Sequence, residues 1–599
     1  MVLSTHFEGI NFTLMLRLFR YYKPKDWLLF VAVALLIFAS VWIELLMPDY
    51  MANITKLVQT EGSQMSEILR NGGMMLACAA GSLILAVVVS YILSNLAATF
   101  SLVVRKALFD KVEELDLDQA NKFSTSSLIT RTTNDITQLQ MVIGMGTMML
   151  LRAPITVTVA ITKIVGKSWQ WSTTTAIAVV ILLSFIVTSM TIVLPRFKKM
   201  QKLTDRLNGV TRENLTGIRV VHAFNAESYQ EQKFTQANSD LTEIQLFTQR
   251  VMSLLSPMMY LIMQGVSLAI YFIGAFLVDG ATTDKLDIFS DMIVFSTYAM
   301  QIIISFLVLS GIFIILPRAQ VSAKRINEVL DTEITIKNGT IKEPETGLVG
   351  TIEFKNVSFK YPDSQDYMLK NISFKAKQGE TVAIVGSTGS GKTTLVNLIE
   401  RFYDATDGEV IVDGVNVKDY KQSALRNRIG YVPQKAVMFD ASVLENVSYG
   451  DNGREKADEN AVKKALEVAQ GKDFVEKMAK KYKSHIAQGG TNVSGGQRQR
   501  LAIARAIARD PEIYIFDDSF SALDFKTDAK LRQALKEYTK DSTSVIVAQR
   551  IGTIMHADQI LVLDDGKCVG KGTHKELMKN CPVYKQIALS QLTKQELEA

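Results

Sequence analysis

Cysteine is scarce in this chain of 599 residues, which contains only Cys78, Cys568 and Cys581. No two of them have CxxC spacing, so neither a disulfide framework nor a zinc site is predicted. The formal net charge is only +6, and the basic residues gather beside apolar segments. Nucleic-acid binding is therefore not expected, because it needs a basic stripe or patch. Internal repeats and low-complexity segments are also lacking.

Long apolar runs, in contrast, fill the first half of the chain. A helix rises about 1.5 Å per residue, so about 20 apolar residues cross the hydrocarbon layer of a membrane. Six segments meet this requirement: residues 27–47, 73–100, 142–165, 171–194, 251–278 and 289–316. The sequence therefore predicts an all-α membrane domain with six spans.

Basic residues predict the orientation of these spans. Residues 14–22 form a basic, amphipathic stretch, unlike a secretory signal peptide, and are expected to lie on the membrane surface. By the positive-inside rule, the segments before the first span and after the fourth are cytoplasmic. Segment 101–140 carries about as many acids as bases, so charge does not place it. The basic residues that carry this prediction are Arg17, Arg20, Lys23, Lys25, Arg196, Lys198, Lys199, Lys202, Arg206, Arg212 and Arg219.

This topology gives long cytoplasmic loops after spans two and four, where apolar residues at helical spacing predict helices that continue below the membrane. Glu44, Arg152 and Lys163 lie within or near spans and are functional candidates, because charge in a membrane is costly. The alternative is that they lie at span ends or face other helices. Aromatic and methionine side chains could line an adaptable cavity or simply fill helix contacts: Met258, Met259, Tyr260, Tyr298, Met300 and Phe306.

A polar stretch at 331–350, which contains Gly339, Pro344 and Gly347, marks a predicted domain boundary. Beyond it, short β-type runs alternate with helical patterns, which indicates an α/β domain. We therefore predict a membrane domain at 1–330, a linker at 331–350 and an α/β nucleotide-binding domain at 351–599.

A buried-strand run at 382–385 leads into a GxxxxGK[ST] motif before a helix. In such a loop, backbone N–H groups converge on phosphate oxygens, the lysine reaches the β- and γ-phosphates, and the final hydroxyl holds Mg²⁺. The sequence thus predicts that ATP and Mg²⁺ bind here. The motif residues are Gly386, Ser387, Thr388, Gly389, Ser390, Gly391, Lys392 and Thr393.

A second element of the phosphate site is predicted at Asp517, which follows the apolar run 513–516. An acid at the end of a buried strand beside a phosphate loop is placed to hold Mg²⁺, directly or through water. The pattern is weak alone and strong together with the loop.

Residues 493–500, with the sequence VSGGQRQR, resemble the signature of ATP-binding cassette (ABC) proteins. Six spans followed by one cassette resemble a half-transporter of the multidrug exporter type. The resemblance implies that Tyr361 stacks on adenine, that Thr394 joins the nucleotide contacts, and that Gln434 contacts Mg²⁺ and the attacking water. It also implies that loop 521–524 signals across a dimer of cassettes.

The same resemblance implies a dimer in which each ATP lies between the phosphate loop of one cassette and the signature of the other. The signature residues Ser494, Gly495, Gly496 and Gln497 would then complete the site of a second half-transporter. Segments 121–127 and 222–229 in the long cytoplasmic loops are the candidates for docking on the cassettes near Gln434, and solvated helical turns are the alternative.

Two departures from the family pattern concern the chemistry of hydrolysis. Asp518 stands where active sites of the family have glutamate, and Gln549 stands where they have histidine. A carboxylate shorter by one methylene is withdrawn by about 1 Å from the water that it must activate. Glutamine can donate a hydrogen bond to the γ-phosphate, but it cannot carry charge or move a proton at neutral pH.

The pattern therefore resembles the degenerate subunit of a heterodimeric exporter in the cell membrane. Such a subunit would hold ATP at a slow site, lend its signature to a distinct partner, and help to move amphipathic small molecules across the lipid bilayer. Three alternatives stay open: a homodimer that turns over slowly, an exporter of peptide or lipid, and a nucleotide-sensing membrane protein that transports nothing.

Overall fold

A computed structural model describes residues 12–165, 167–281, 284–345 and 347–592. Their contacts divide the chain into two compact units. The helical unit contains residues 12–113 and 125–331, and the α/β unit contains residues 114–124 and 332–592. A short piece of the first half of the sequence therefore belongs to the second unit.

Helices account for nearly all of the first half of the chain. In chain order they are α1 Phe12–Leu18, α2 Pro24–Glu44, α3 Met47–Gln59, α4 Met65–Glu114, α5 Leu117–Lys122, α6 Thr125–Thr130, α7 Ile136–Met141, α8 Thr147–Ile164, α9 Trp169–Thr216, α10 Ile218–Ala223, α11 Glu227–Ser253, α12 Leu255–Gly280, α13 Lys285–Ser310 and α14 Ile312–Leu330. Two π-helical stretches, Arg131–Asp135 and Val142–Gly146, join α6, α7 and α8 end to end.

Six helical stretches are long and apolar enough to cross a membrane within the part of the chain that is described, which confirms the predicted number of spans. They are Pro24–Gln59, Met65–Glu114, Thr125–Ile164, Trp169–Thr216, Glu227–Gly280 and Lys285–Leu330. Helices α4 and α9 contain 50 and 48 residues. About 20 residues suffice to cross the hydrocarbon layer, so both helices are more than twice as long as a crossing needs.

The charged candidates of the helical unit are paired with one another or with neighbours. Arg152 donates to Glu44 at 2.6 Å, and Lys163 donates to Asp49 at 2.6 Å. Tyr298 donates to the same Asp49 at 3.0 Å. Pairing offsets the cost of placing charge among apolar helices, so these contacts agree with the alternative that the side chains face other helices.

The aromatic and methionine candidates do not share one surface. Met259 and Tyr298 are buried in the core of the helical unit, whereas Tyr260 is 67% exposed. Met258, Met300 and Phe306 have intermediate exposure. These environments agree with ordinary helix packing for the buried members of the set.

The second unit contains twelve strands among its described residues: β1 Ile352–Phe359, β2 Leu369–Ala376, β3 Thr381–Gly386, β4 Asp407–Val412, β5 Val415–Asn416, β6 Ile429–Val432, β7 Ala441–Ser442, β8 His485–Ile486, β9 Ile513–Asp517, β10 Thr543–Val547, β11 Gln559–Asp564 and β12 Lys567–Gly572. Its helices are α15 Lys392–Ile399, α16 Gln422–Asn427, α17 Val443–Val447, α18 Glu459–Val468, α19 Lys472–Glu476, α20 Gly495–Ala508, α21 Phe525–Tyr538, α22 Ile551–Ile554, α23 His574–Asn580 and α24 Pro582–Gln591.

The strands form a six-stranded sheet, a four-stranded sheet and a two-stranded ribbon. The large sheet has the order β12-β11-β3-β10-β9-β6, and all its pairs are parallel except β12 with β11. The antiparallel sheet has the order β2-β1-β4-β5. One buried cluster joins the two sheets to α15, which fixes the helix that follows β3. Since parallel strands end at the same edge, the loops after β3, β9 and β10 meet there.

Helix α5, from the loop after span two, packs within the α/β unit. The carboxylate of Asp116 accepts hydrogen bonds from the backbone N–H groups of Thr335 at 2.8 Å and Ile336 at 2.9 Å. Asn121 bonds to the side chain of Tyr403. Residues 121–124 of the nominated segment 121–127 therefore belong to the α/β unit of their own chain.

Glu400, directly after α15, is 6% exposed, and burial raises its pKa to about 8 although Arg426 and Arg509 oppose the shift. The folded state therefore keeps a proton that the unfolded chain releases near its ordinary value of 4.5. Stability from this group is fully present below that value and is lost as pH rises through about 8.

We expect the α/β unit to unfold at a lower temperature at pH 8.5 than at pH 6, and Glu400→Gln to reduce this difference. Calorimetry of the full chain in detergent at both pH values measures the effect. Glu409→Gln, at an exposed position on β4, is the matched control. An unchanged pH dependence in Glu400→Gln would contradict the assignment.

Candidate functional site

The loop between β3 and α15 runs so close to its neighbours that two of its glycines are required. A Cβ atom on Gly386 would lie 2.1 Å from the carbonyl oxygen of Leu563. Gly391 has φ +96°, and a Cβ atom there would lie 2.7 Å from the Leu369 side chain. Only glycine tolerates both the close approach and the left-handed backbone. The loop is therefore held in one shape by the sheet around it.

Lys392 begins α15 and lies over this loop. Its Nζ donates to the carbonyl oxygens of Gly386 at 2.9 Å and Ser387 at 2.7 Å. Burial lowers the pKa of Lys392, whereas Asp518 and Asp517 oppose the shift. A cation at the N-terminus of a helix, beside exposed loop residues 387–389, fits a phosphate chain.

Ser390 adds a polar group on the inner side of the loop. The residue is 1% exposed, and its Oγ has no hydrogen-bond partner among the described residues. An unpaired buried hydroxyl is costly. A phosphate oxygen would supply the missing partner, so the loop fits the predicted ligand.

Thr393 and Asp517 meet beside the loop. Thr393 Oγ1 donates to Asp517 Oδ1 at 3.1 Å. Asp517 ends β9 and is 2% exposed. Burial raises the pKa of Asp517, and the hydrogen bond from Thr393 and the charge of Lys392 counter the shift. Hydroxyl and carboxylate oxygens are the ligands that Mg²⁺ prefers, so these two residues fit the predicted ion.

One carboxylate oxygen of Asp518 accepts hydrogen bonds from two side-chain amides. Gln434 Nε2 donates to Asp518 Oδ2 at 3.3 Å, and Gln549 Nε2 donates to the same oxygen at 3.1 Å. Asp518 has a left-handed backbone with φ +45°. Burial raises its pKa, and the bond from Gln434 opposes the shift. The structure thus brings together three predicted residues that are far apart in the sequence.

Tyr361 lies beside α15. Its hydroxyl is 2.8 Å from Thr394 Oγ1, and its ring contacts those of Phe359 and Tyr403 edge to face, with centroids 4.9 and 5.3 Å away. Thr394 lies two residues after Lys392 on α15, so this contact brings Tyr361 to the first turn of that helix. The face of the ring is not stacked on another described aromatic residue, which suits the predicted stacking on adenine.

The signature lies at the start of α20. Ser494 Oγ accepts from Gln497 N at 3.3 Å, and Gln497 Oε1 accepts from Ser494 N at 2.9 Å, a reciprocal helix cap. The ideal Cβ of Gly496 lies 3.3 Å from the carbonyl oxygen of Ala522, so this helix start adjoins loop 521–524. Within the described chain, no hydrogen bond joins residues 494–497 to the phosphate loop at 386–393.

One residue of the site was not predicted. Gln591, in the last described helix, makes two hydrogen bonds to the turn that carries Gln549. Nothing in the local sequence around either residue indicates this contact, since 42 positions separate them. Only the tertiary structure reveals it.

Two protein families match this chain. Residues 28–306 match the family described as ABC transporter transmembrane region, and residues 369–521 match the family described as ABC transporter. The first match covers five predicted spans almost entirely, with their connecting loops, and the first part of the sixth. The second covers the phosphate loop, the signature, Asp517 and Asp518.

Curated relatives match over most of their length. An uncharacterised ABC transporter ATP-binding protein of Mycobacterium bovis is 38% identical over 527 residues, which are 88% of this chain and 89% of the relative. One of Bacillus subtilis is 36% identical over 85% of this chain and 87% of its own length. The ATP-dependent lipid A-core flippase of Pseudomonas aeruginosa is 32% identical over 79% of this chain and 77% of the flippase.

Among solved structures, a bacterial Atm1-family ABC exporter with ATP bound has a TM-score of 0.76 and is 23% identical. The match covers 94% of this chain and 98% of that exporter. Together these likenesses confirm the predicted fold class, a six-helix transmembrane domain followed by an α/β ATP-binding cassette.

Loss of the Lys392 charge should weaken ATP binding. A hydrogen bond from a charged group contributes about 1.5 to 3 kcal/mol, so we expect Lys392→Met to lower the affinity for MgATP by about tenfold or more. Equilibrium binding of labelled ATP to the purified chain measures this. Lys375→Met, at an exposed ion pair with Glu353, should leave the affinity unchanged. Equal affinities of the two variants would contradict the assignment.

Proposed function

Because this chain belongs to the ABC transporter family, and has the layout of an exporter half-transporter, we propose that it is one half of a heterodimeric exporter with a slow ATP site of its own. The observation that carries the proposal is the hydrogen bond between Asp518 and Gln549 beside a complete phosphate loop. The cassette binds ATP, and the two substituted residues face each other where hydrolysis would be catalysed.

The geometry supports slow hydrolysis at this site. Asp518 is a methylene shorter than glutamate, and both amide donors, from Gln434 and Gln549, meet its Oδ2. Amide donors on a carboxylate stabilise its charged form, and here the bond from Gln434 opposes the rise in the Asp518 pKa that burial causes. The neutral Gln549 amide cannot take up the proton that leaves the attacking water. In this proposal Tyr361 and the phosphate loop hold ATP, while Thr393, Gln434 and Asp517 hold Mg²⁺.

The separation of signature and phosphate loop supports a dimer. Each cassette has one of each, and no hydrogen bond joins the two within the described part of this chain, so we infer that a second cassette brings a signature to this ATP. Signature residues 494–497 in turn serve the partner, whose glutamate and histidine carry out hydrolysis. Segment 222–229 exposes 78% of Phe224 and 66% of Tyr229, which suits docking on a cassette.

The membrane location and orientation follow from the six spans and the basic loops. We place the cassette and both termini in the cytoplasm, because the segments before span one and after span four are rich in lysine and arginine. Binding of ATP closes the cassettes, the spans reorient outward, and hydrolysis at the partner's site resets them.

We propose amphipathic small molecules as the cargo. A lipid is the second candidate, and the relatives named lipid A-core flippases favour it. Both cargoes have a polar end and an apolar end, so the same spans suit either. Flux of a fluorescent amphipathic drug and of a labelled lipid into vesicles distinguishes the two. Absence of both fluxes would instead favour a nucleotide sensor.

The division of labour predicts that the chain purified alone hydrolyses ATP slowly, although it binds ATP. Co-purification with a second half-transporter should raise turnover by at least tenfold, because the partner supplies an intact site. Phosphate release measured for the lone chain, the partner and the pair checks this. Brisk hydrolysis by the lone chain would contradict the proposal and favour a homodimer.

Restoring the two residues should restore hydrolysis at the slow site. We expect Asp518→Glu combined with Gln549→His to raise hydrolysis at the site that this chain contributes to the assembled transporter by about tenfold or more, the scale of general-base catalysis. A third change, Lys392→Met, should abolish the gain, because it removes ATP from this site. If the double change leaves hydrolysis untouched, these residues do not limit it.

A further inference from the structure

Helix α24 ends at the turn that carries Gln549. The side-chain Nε2 of Gln591 donates to the carbonyl oxygen of Gln549 at 2.7 Å, and its Oε1 accepts from the backbone N–H of Ile551 at 2.8 Å. A glutamine side chain offers both a donor and an acceptor, so it satisfies two backbone groups at once. Gln591 thus closes the turn between β10 and α22.

The core fixes the position of Gln591. Tyr584 and Ala588 have 0% exposure and lie in the same buried cluster as Ile551 and Val385. Residues four and seven positions apart share a helix face, so Tyr584, Ala588 and Gln591 point the same way. The hydroxyl of Tyr584 also lies 2.7 Å from Nδ1 of His574. Helix α24 therefore presents Gln591 from a rigid base.

The turn itself is exposed. Gln549 and Arg550 both lie at the surface, and exposed loop backbone opens more readily than buried strands. From this turn the Gln549 side chain reaches Asp518 Oδ2 at 3.1 Å. A small rotation of the turn would break that hydrogen bond. Gln549 Nε2 has no other hydrogen-bond partner among the described residues, so nothing else there holds the amide in place.

We propose that Gln591 is a positioning residue, which holds the Gln549 amide toward Asp518 and toward the terminal phosphate of ATP. The step to ATP depends on the proposed function, in which Gln549 contacts that phosphate. The positioning of the turn does not. Helix α24 thereby becomes part of the nucleotide site, although it lies more than 180 residues beyond the phosphate loop.

The first measurement concerns the turn alone. Hydrogen exchange of the full-length chain in nanodiscs should show that the Ile551 amide is protected, because its N–H group donates a hydrogen bond to Gln591. Gln591→Met keeps the length of the side chain but loses both hydrogen bonds, and should speed this exchange by about tenfold. Ser590→Ala is the matched control, since that hydroxyl bonds only within its own helix, to Ile587.

The second measurement is a double-mutant cycle on the affinity for MgATP in the same preparation. We expect Gln591→Met and Gln549→Ala each to weaken binding by about fivefold, and the double variant to bind no more weakly than Gln549→Ala. Ser590→Ala should bind as the unchanged chain does. The unfolding temperature of each variant should stay unchanged while its affinity for MgATP falls. This combination distinguishes a positioning role from general destabilisation.

Three outcomes would overturn the inference. The first is an unchanged rate of exchange at Ile551 in Gln591→Met. The second is faster exchange but unchanged ATP affinity in Gln591→Met, while Gln549→Ala binds ATP weakly, and the third is that the two losses of affinity add in the double variant. If Gln549→Ala itself binds ATP normally, the proposed contact of Gln549 with phosphate is wrong. The exchange result then decides alone whether Gln591 holds the turn.

Discussion

Parallel pairing of three strands holds the candidate site together. In the register of the large sheet, Val547 of β10 lies opposite Ile384 of β3 on one side and Asp517 of β9 on the other. The loops that leave these strands therefore start at one level of one edge. The phosphate loop, Asp517, Asp518 and Gln549 are neighbours for this reason.

Burial sets the electrostatics at this edge. The carboxylates of Asp517 and Asp518 both have raised pKa values because they are partly removed from water. Lys392 and the surrounding hydrogen bonds oppose the shift and favour the charged forms. A site with this balance suits a triphosphate with Mg²⁺, which adds both negative and positive charge. At the same edge, Asp518 accepts hydrogen bonds from the side-chain amides of Gln434 and Gln549.

In the helical unit, ion pairs and hydrogen bonds connect helices that are far apart in the sequence. Glu44 with Arg152, and Asp49 with Lys163 and Tyr298, link α2 and α3 to α8 and α13. Charge among apolar helices is tolerated because each group finds a partner. These contacts tie distant segments of the sequence to one another.

Features that are built from consecutive residues could be predicted from the sequence alone. Span length, the glycines and Lys392 of the phosphate loop, and the signature are all local patterns, because a helix crossing and a phosphate-binding turn are each built from one short segment. The substitutions at Asp518 and Gln549 were visible by comparison with the family pattern.

How separate segments meet is visible only in the folded structure. It placed α5 in the α/β unit, joined the Tyr361 hydroxyl to Thr394, paired Arg152 with Glu44, and brought Gln591 to the Gln549 turn. None of these contacts has a sequence pattern, because each joins residues that are dozens to hundreds of positions apart. Their geometry is set by strand register and by the packing of buried helix faces, which act across the whole domain.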